Sequence, residues 1–330
     1  MIPNCLKRSG SNLIDKAPLA VVLGGLGFIG SHLSRALLGL GYRVRIFDKL
    51  YASDELIEDI KCQVEIVEGD FEKSKDVVDV LIDAPICFHL IHSTVPGLSM
   101  QDPAYDVQSN VLSSVRWISQ LHRTSLKKLI YISSGGTVYG LPQTNPINED
   151  HPTNPICSYG ITKLCIEKYI ALYASLYGIE YRIARPSNAY GEGQKLHISQ
   201  GVIGVFTDKV LHGEPIEVWG DGNMRRDYLY IADLVSALVA LLDHSGPSRI
   251  FNISSGQGRS LFEIIEMIEG ITGNKVKIKF LPSRGFDVPV NILSCKRLND
   301  ETGWAPKVGA YEGISRYIQW FRKSTLEGKA

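Results

Sequence analysis

The chain has 330 residues, of which 44% are hydrophobic and 21% are charged, and its 35 basic and 35 acidic residues give a formal charge of zero. This composition is that of an ordinary globular protein long enough for two domains, and it excludes a largely disordered chain. Basic residues are scattered along the sequence, so no charged patch predicts binding to nucleic acid or to anionic lipid. We therefore expect partners that are small molecules or proteins.

The six cysteines predict neither a disulfide nor a metal site. They stand at positions 5, 62, 87, 157, 165 and 295, with no Cys-x-x-Cys pair and no histidine at metal-binding spacing. This usage is typical of reduced thiols in a cytoplasmic protein. Residues 1–17 mix charged and polar side chains without a continuous apolar stretch, so we expect neither a signal peptide nor insertion into a membrane.

The first predicted strand, Leu19–Leu23, runs directly into a glycine-rich turn and a helix that begins near Phe28. The turn has glycine at four positions: Gly24, Gly25, Gly27 and Gly30. Glycines allow a tight turn and a close approach of the backbone to an anion, and the N–H groups at the helix start then face that anion. The turn predicts a dinucleotide pyrophosphate site. Two glycine patterns overlap in it, so it does not distinguish cofactor subclasses, and ordinary turns of this composition are also common.

An acidic residue, Asp48, ends the next predicted strand, Tyr42–Phe47. It lies about 20 residues after the turn, where an acid that binds the adenosine ribose is expected. A carboxylate accepts hydrogen bonds from the 2′-hydroxyl and repels the 2′-phosphate of NADP, so Asp48 favours NAD. The alternative is an ordinary acid at a strand end. Asp70, after the predicted strand Val64–Val67, is assigned to the adenine edge.

Strands alternate with helical segments through the first half of the chain, which predicts an α/β fold with a parallel, doubly wound sheet. The predicted strands are Leu19–Leu23, Arg43–Phe47, Val64–Val67, Ile86–Ile91, Lys128–Ser133 and Tyr181–Arg185. Two intervening helices, around Ala104–His122 and Tyr159–Tyr177, are longer and carry apolar residues on more than one face. They predict a homodimer interface, unless those residues pack against the sheet and the second domain.

The pattern changes after Pro186, where glycine-rich loops and shorter elements are typical of a substrate-binding region. The stretch Leu229–Leu242 and the strand Ile250–Ile253 then resume the α/β alternation. We therefore predict two interleaved domains. A nucleotide-binding domain covers 1–188 and regains the chain at about 228–260, and a smaller α/β substrate-binding domain covers 189–330.

Tyr159 and Lys163 stand four residues apart at the start of a predicted helix, so their side chains share one face. A neighbouring ammonium and an oxidised nicotinamide both lower the pKa of a phenol, which makes this arrangement a general-base pair. In isolation, a tyrosine and a lysine at this spacing are more often surface residues. Here they follow a strand that ends in Ser133 and Ser134, at the carboxyl edge where doubly wound sheets bind ligands.

From Ala20 to Pro306 the sequence resembles the extended short-chain dehydrogenase/reductase family, and within it the nucleotide-sugar epimerases and dehydratases. The matching segments are Gly24–Gly30, Asp48, Gly69–Asp70, His89–Leu90, Asn110, Ser133–Gly140, Tyr159–Lys163, Arg185–Pro186 with Asn188, Gly220–Tyr228 and Arg284–Asp287. The resemblance implies a Rossmann fold, bound NAD and a sugar-nucleotide substrate. It makes Tyr159 the catalytic acid and base, and it places Lys163 on the nicotinamide ribose and Asn110 near the nicotinamide. Further cofactor contacts are implied at Phe28, Ile29, Phe71, Leu90 and Ser133.

The same resemblance implies a substrate site in which arginines, whose planar guanidinium groups suit phosphate oxygens, hold a diphosphate. The implied substrate-binding residues are Thr94, Asn188, Trp219, Arg226 and Arg284. Asn188 and the two arginines would hold the diphosphate, Trp219 would lie near the nucleobase, and Thr94 would lie near the sugar. Other roles are open, with Trp219 in the core, Arg226 paired with Asp227, or Arg284 as a solvated loop charge.

One departure from the family pattern concerns the hydroxyl that meets the reacting oxygen of the sugar. Relatives carry serine or threonine at the place of Gly135, so Ser134, Thr137 or a water must supply that hydroxyl here. Strand alternation turns Thr137 toward the same side as Gly135 and favours it. Dehydratases and decarboxylases of the family place acids around Gly136 and Thr137, and none is present. Elimination would lack its acid and base, whereas epimerisation would not.

These features predict an NAD-dependent epimerase acting at C4 of a UDP-hexose or UDP-N-acetylhexosamine through a transient 4-keto sugar. UDP is inferred from the family, since arginines bind any diphosphate. The alternative is an NAD-dependent sugar-nucleotide dehydrogenase or dehydratase of the same fold. A non-catalytic nucleotide-binding protein is a third hypothesis, motivated by Gly135.

Overall fold

Short runs of aliphatic and β-branched residues form the strands, and most of the early ones are separated by helices, as the sequence pattern predicts. The computed structural model describes residues 17–49, 52–194, 201–282 and 288–326. Its strands are β1 (Leu19–Leu23), β2 (Arg43–Asp48), β3 (Glu65–Glu68), β4 (Ile86–His89), β5 (Lys128–Ile132), β6 (Glu180–Pro186), β7 (Asn188–Tyr190), β8 (Ile216–Trp219), β9 (Arg225–Tyr230), β10 (Ile250–Ile253), β11 (Gly258–Ser260), β12 (Ile278–Leu281) and β13 (Val290–Asn291). Each predicted strand is present, with ends that differ by one or two residues.

The helices connect these strands and cover the sheet. They are α1 (Phe28–Gly39), α2 (Ser74–Leu81), α3 (Pro96–Ser99), α4 (Pro103–Asp106), α5 (Ser113–Ile118), α6 (Ser158–Tyr177), α7 (Val202–His212), α8 (Ile231–Asp243), α9 (Leu261–Thr272), α10 (Lys296–Thr302) and α11 (Ala310–Leu326). Within the described ranges, no helix is long and apolar enough to cross a membrane.

The large sheet is parallel, and in the described part of the chain its strand order is β3-β2-β1-β4-β5-β6-β10. In the central strand, Val22 lies opposite Ile46 of β2 and Phe88 of β4, and all three side chains are buried. The order reverses between β1 and β4, which creates the crevice where doubly wound sheets bind nucleotides. The predicted α/β fold with a doubly wound sheet is confirmed.

One predicted helix differs from the structure. The sequence pattern predicts a single long helix around 104–122, but this stretch is divided into α4, a π-helical turn at Val107–Leu112, α5, and a 3₁₀ turn at Leu121–Arg123. A π turn widens the helix by one residue and is often found where a side chain has a functional position. The other long helix, predicted at 159–177, is continuous as α6.

The chain divides into two compact units. The first comprises the described residues of Met1–Ser93, Val107–Ile132 and Cys165–Arg182. It contains β1 to β5 and the glycine-rich turn. The division predicted at residue 188 separates a cofactor-binding domain from a substrate-binding domain. It does not describe the compact units, and it stays a prediction.

The second unit comprises Thr94–Asp106, Ser133–Leu164 and the described residues of Ile183–Ala330. In it β9 pairs with β7, β11 and β13, while β8 pairs with β12. The buried Asp233 carboxylate of α8 accepts hydrogen bonds from the backbone N–H groups of Lys307 and Val308, at 3.0 and 2.9 Å. This contact fixes the chain that leads into α11.

Candidate active site

The glycine-rich turn of the first unit has the backbone geometry that a pyrophosphate site needs. Gly24 has a φ of +87°, in the left-handed region that favours glycine. A Cβ at Gly30 would lie 2.2 Å from the carbonyl oxygen of Gly24, so the first turn of α1 packs directly on the glycine turn. Gly27 precedes the helix and provides no side-chain cap. The first backbone bond of α1 runs from Ser31 to Gly27, which leaves the N–H groups of the preceding helical residues for an anion.

Asp48 lies at the end of β2 against this turn. One carboxylate oxygen accepts the backbone N–H of Leu26 at 3.0 Å, and the other accepts that of Lys49 at 2.9 Å. Burial raises the pKa of the Asp48 carboxyl, and these two hydrogen bonds act in the opposite direction. Each oxygen retains a further lone pair, so the carboxylate can accept from a ribose diol.

Three other predicted cofactor residues are built into the framework of the first unit. Asp70 accepts the N–H of Glu72 at 2.9 Å and so closes the turn after β3. The Phe71 ring is buried against His89, with ring centroids 5.3 Å apart. The backbone N–H of Leu90 continues the sheet by donating to Leu23 at 3.0 Å. The Phe71 side chain and the Leu90 backbone N–H are therefore engaged within the protein, and the half-buried Leu90 side chain is the part of that residue left to contact a cofactor.

Asn110 is buried in the π-helical turn, where its side-chain oxygen accepts the backbone N–H of Ser93 at 2.7 Å. It therefore holds the loop that follows β4, and this loop leaves the carboxyl edge of the sheet. The glycine turn, the free helix N–H groups and Asp48 together fit the pyrophosphate and ribose of a dinucleotide.

Tyr159 and Lys163 lie on one face of α6, as predicted, with the Lys163 Nζ 5.7 Å from the centre of the Tyr159 ring. Lys163 is 2% exposed and Tyr159 is half-buried. The pKa of Tyr159 is raised, first by burial and then by Cys157 and Asp106. The sequence predicts a lowered pKa from Lys163 and the nicotinamide. In the protein alone, burial outweighs the lysine.

The loop after β5 brings Thr137 close to Tyr159. A Cβ at Gly160 would lie 2.6 Å from the carbonyl oxygen of Thr137, so this loop packs on the first turn of α6. The Thr137 hydroxyl is buried and has no hydrogen-bond partner among the described residues. A hydroxyl in that state is available to a substrate.

Gly135 cannot simply be replaced by serine. A Cβ there would lie 2.3 Å from Leu293 Cδ1 and 2.9 Å from the carbonyl oxygen of Arg185. Ser134 is half-buried, and its carbonyl oxygen accepts the N–H groups of Thr137 and Val138, at 3.3 and 3.2 Å. Ser133 is buried, and its N–H donates to Ala184 at 2.7 Å.

The predicted diphosphate residues lie on neighbouring strands of the second unit. Asn188 is exposed on β7, and its amide donates to the Asp227 carbonyl oxygen at 2.9 Å. Arg226 is half-buried on β9. The Asp227 carboxylate accepts from Ser187 and Ser255, at 3.0 and 2.7 Å, and adjacent strand residues point to opposite faces. This geometry argues against the alternative in which Arg226 pairs with Asp227. Arg284 lies outside the described residues.

Trp219 is 37% exposed, so it is not a core residue. It lines a cavity of about 740 Å³. The other lining residues are Gly220, Asp221, Asn223, Met224, Arg225, Phe280, Leu281, Pro289 and Val290. The sequence analysis missed Phe280 and Arg225. Phe280 reaches the cavity because β12 pairs with β8, with Leu281 opposite Trp219, a register that no local signal indicates.

Thr94 is buried, and its hydroxyl donates to Asp106 at 2.5 Å. The hydroxyl hydrogen of Thr94 is therefore engaged within the protein, and toward a sugar the Thr94 oxygen can act only as a hydrogen-bond acceptor. Asp106 is a further residue that the sequence analysis did not single out, and only its spatial partners distinguish it from other acids in the chain.

Comparison with known proteins agrees with this geometry. The model of the NAD dependent epimerase/dehydratase family matches residues 20–254. The putative UDP-glucose 4-epimerase of Methanocaldococcus jannaschii is 34% identical over 307 residues, which cover 93% of this chain and 99% of that protein. The solved UDP-glucose 4-epimerase of Thermotoga maritima with UDP-glucose is similar with a TM-score of 0.87 and 31% identity, over 93% of this chain and 99% of that one.

The UDP-glucose 4-epimerase of Thermus thermophilus in complex with NAD is similar with a TM-score of 0.85 and 28% identity, over 92% of this chain and 99% of that one. The family match covers most of the chain, and the relatives match it nearly end to end. This chain belongs to the NAD-dependent epimerase/dehydratase family.

Proposed function

We propose that this protein is an NAD-dependent epimerase that acts at C4 of a UDP-hexose or UDP-N-acetylhexosamine. The observation that carries the proposal is the Tyr159–Lys163 pair on α6, together with the loop of Thr137, whose backbone packs on the first turn of α6 and whose buried hydroxyl has no hydrogen-bond partner among the described residues. The chain is similar along nearly its whole length to UDP-glucose 4-epimerases, of which one was solved with UDP-glucose and one with NAD. This similarity supports a UDP-sugar as the substrate and NAD as the cofactor.

The first unit provides the cofactor site. The turn from Gly24 to Gly30 and the start of α1 would bind the pyrophosphate, and Asp48 would bind the adenosine ribose, which disfavours NADP. When bound, NAD supplies a reversible hydride acceptor.

Tyr159 removes the proton of the sugar 4-hydroxyl and later returns it. Because burial raises the pKa of Tyr159, the phenol keeps its proton at neutral pH in the protein alone, and the positive charge of bound oxidised NAD would favour its release. Lys163 holds a fixed ammonium on the same helix face, and Thr137 donates to the reacting oxygen. Tyr159 and Thr137 would act on the C4 oxygen of the sugar whichever face of the ring meets the cofactor.

The substrate is held by its nucleotide rather than by its hexose. Asn188, Arg226 and Arg284 would bind the diphosphate, and the cavity beside Trp219 would receive the nucleobase. Thr94 would border the sugar. A hexose held only through its diphosphate could turn over, so that either face of C4 would meet the nicotinamide of bound NAD.

The alternative functions differ from this proposal in measurable ways. A dehydrogenase would release NADH steadily. A dehydratase would need acids that Gly136 and Thr137 do not provide. A non-catalytic binding protein is the third hypothesis, and any turnover that depends on Tyr159 argues against it.

The test is to incubate the purified protein with NAD and, separately, UDP-glucose, UDP-galactose and the two UDP-N-acetylhexosamines. We expect interconversion of a 4-epimer pair without accumulation of free NADH at 340 nm, and none with the Tyr159→Phe variant. Sustained NADH release would identify a dehydrogenase instead. No change in any of the four sugars would contradict the proposal.

We further propose a cytoplasmic homodimer in which α6 and the segment 107–122 form the interface. Exposed apolar side chains on these elements support it: Val107, Leu112, Leu172 and Leu176. The two elements are adjacent, since the Tyr177 hydroxyl donates to Ser119 at 2.8 Å. The cysteine spacing supports the cytoplasmic location. The functional domains, 1–188 for NAD and 189–330 for the sugar nucleotide, are part of the same proposal.

A further inference from the structure

A buried carboxylate that the proposed chemistry does not use lies beside the start of α6. Asp106 is 0% exposed and accepts hydrogen bonds from three hydroxyls of the second unit. Thr94 donates to Oδ1 at 2.5 Å, and Ser158 and Thr162 donate to Oδ2 at 2.7 and 3.3 Å. All three donors are nearly or fully buried. We call these four residues the Asp106 cluster.

Two members of the cluster directly precede the catalytic pair. Ser158 comes before Tyr159, and Thr162 comes before Lys163, so one carboxylate holds two successive turns of α6 at these positions. The Thr162 hydroxyl also lies 3.0 Å from the carbonyl oxygen of Tyr159. Rotation or sliding of the helix start would break these bonds at the same time.

The segment Thr94–Asp106, to which Thr94 and Asp106 of the cluster belong, also caps the start of α6. The N–H of Tyr159 donates to the Ser99 hydroxyl at 3.0 Å, and the N–H of Ser158 points to the sulfur of Met100 at 3.4 Å. The start of α6 is therefore capped by the segment Thr94–Asp106, which approaches it from elsewhere in the chain. A carboxylate near the positive end of a helix is favourable, and three hydroxyl donors offset its desolvation.

We propose that Asp106 is a positioning residue of the reaction, which sets the location of the Tyr159 phenol and the Lys163 ammonium through Ser158 and Thr162. This role rests on the proposed function of Tyr159 as the acid and base. A site of this kind tolerates little displacement, because a shift of about 1 Å can cost a hundredfold in rate.

The charge of Asp106 also acts on the phenol. Among the described residues, the charged or titratable groups that act on Tyr159 include Lys163 on its own helix, Cys157 in the preceding loop, and Asp106. Asp106 and Cys157 add to the effect of burial in raising the pKa of Tyr159. Loss of the Asp106 charge should therefore make the phenol more acidic, an effect that a purely structural role would not produce.

The experiment compares Asp106→Asn, Thr162→Val and Thr162→Ser with the control Asp243→Asn, which removes an exposed carboxylate at the end of α8. We expect kcat to fall about 10- to 100-fold in Asp106→Asn and about fivefold in Thr162→Val, with KM changed by less than about threefold. Thr162→Ser, which retains the hydroxyl, and the control should keep the wild-type kcat. Circular dichroism and thermal melting show whether each variant is folded.

The second readout is the ionisation of Tyr159 in the NAD-loaded protein, taken as the difference in tyrosinate absorbance with and without Tyr159→Phe. We expect its midpoint to fall in Asp106→Asn and to stay unchanged in the control. An unchanged midpoint, or an unchanged kcat in folded Asp106→Asn, would overturn the proposal. If Asp106→Asn does not fold, a wild-type kcat in Thr162→Val would overturn it. If the wild type turns over no sugar nucleotide, the proposed function fails, whereas a midpoint that still shifts in Asp106→Asn supports the action of Asp106 on the Tyr159 phenol.

Discussion

At the scale of single residues, the proposed mechanism depends on how Tyr159 gains and loses its proton. Burial, Cys157 and Asp106 raise the pKa of its phenol, while the Lys163 ammonium, 5.7 Å from the ring, favours the phenolate. The phenol is therefore protonated at neutral pH in the protein without cofactor. Its use as a base then depends on the positive charge of the oxidised nicotinamide.

We expect Tyr159→Phe to lower kcat by about 10² to 10⁴, the usual contribution of a general acid and base, with little change in KM. Because the pKa is raised, the difference in tyrosinate absorbance between wild type and variant should appear only above about pH 10 without NAD. With NAD bound it should appear at lower pH. The same midpoint with and without NAD would contradict this account of the base.

The hydroxyl that meets the sugar belongs either to Thr137 or to Ser134, and the two assignments predict opposite results for substitution of these residues. If Thr137 supplies it, Thr137→Val should lower kcat about 10- to 100-fold, because the reacting oxygen loses its hydrogen-bond donor. Ser134→Ala should then have a small effect. The exposed Thr144 provides the control Thr144→Val. A large loss in Ser134→Ala with none in Thr137→Val would move the role to Ser134.

At the scale of secondary structure, the glycine turn and α1 form one rigid support for an anion. The contact between Gly30 and the Gly24 carbonyl oxygen leaves no room for a side chain, whereas Gly39 at the other end of α1 has no atom within 4 Å of a built Cβ. The two glycines therefore allow the same substitution to be compared within one helix.

We expect Gly30→Ala to destabilise the fold by about 1–3 kcal/mol through overpacking, and to weaken NAD binding by at least about tenfold because the helix start moves away from the turn. Gly39→Ala should leave NAD affinity unchanged and slightly raise the melting temperature, since alanine is the better helix former. Thermal melting and titration with NAD measure both effects. Equal NAD affinity in the two variants would contradict the assigned role of the turn.

The helix predicted at 104–122 is divided at the turn that carries Asn110. Within the π turn at Val107–Leu112, the side chain of Asn110 is buried and accepts the N–H of Ser93. π turns are often found where a side chain has a functional position. Periodicity of apolar residues predicts the existence of such a helix but not a one-residue widening within it.

At the scale of the whole molecule, we expect a homodimer through the apolar faces of α6 and the segment 107–122. Leu172→Glu combined with Leu176→Glu should give a monomer in sedimentation velocity, because two buried charges without partners would oppose association. Leu40→Glu, at an exposed leucine outside this surface, should leave the dimer intact. A monomeric wild-type protein would contradict the proposal.

The sequence by itself determined the features that depend on neighbouring residues. The glycine turn, Asp48 after the next strand, and Tyr159 one helical turn before Lys163 are each set by spacing within a single element or βα unit. The alternation of strands and helices similarly determined the doubly wound sheet. These local signals were sufficient for the family and for the cofactor.

The tertiary structure alone decided how distant segments meet. It packs Leu293 against Gly135, so that serine does not fit there, and it leaves the Thr137 hydroxyl buried without a partner among the described residues. It also brings Asp106 to the hydroxyls of α6. Such contacts depend on sheet register and on loop paths that many residues set together. For that reason the spacing of residues along the chain carries no signal for them.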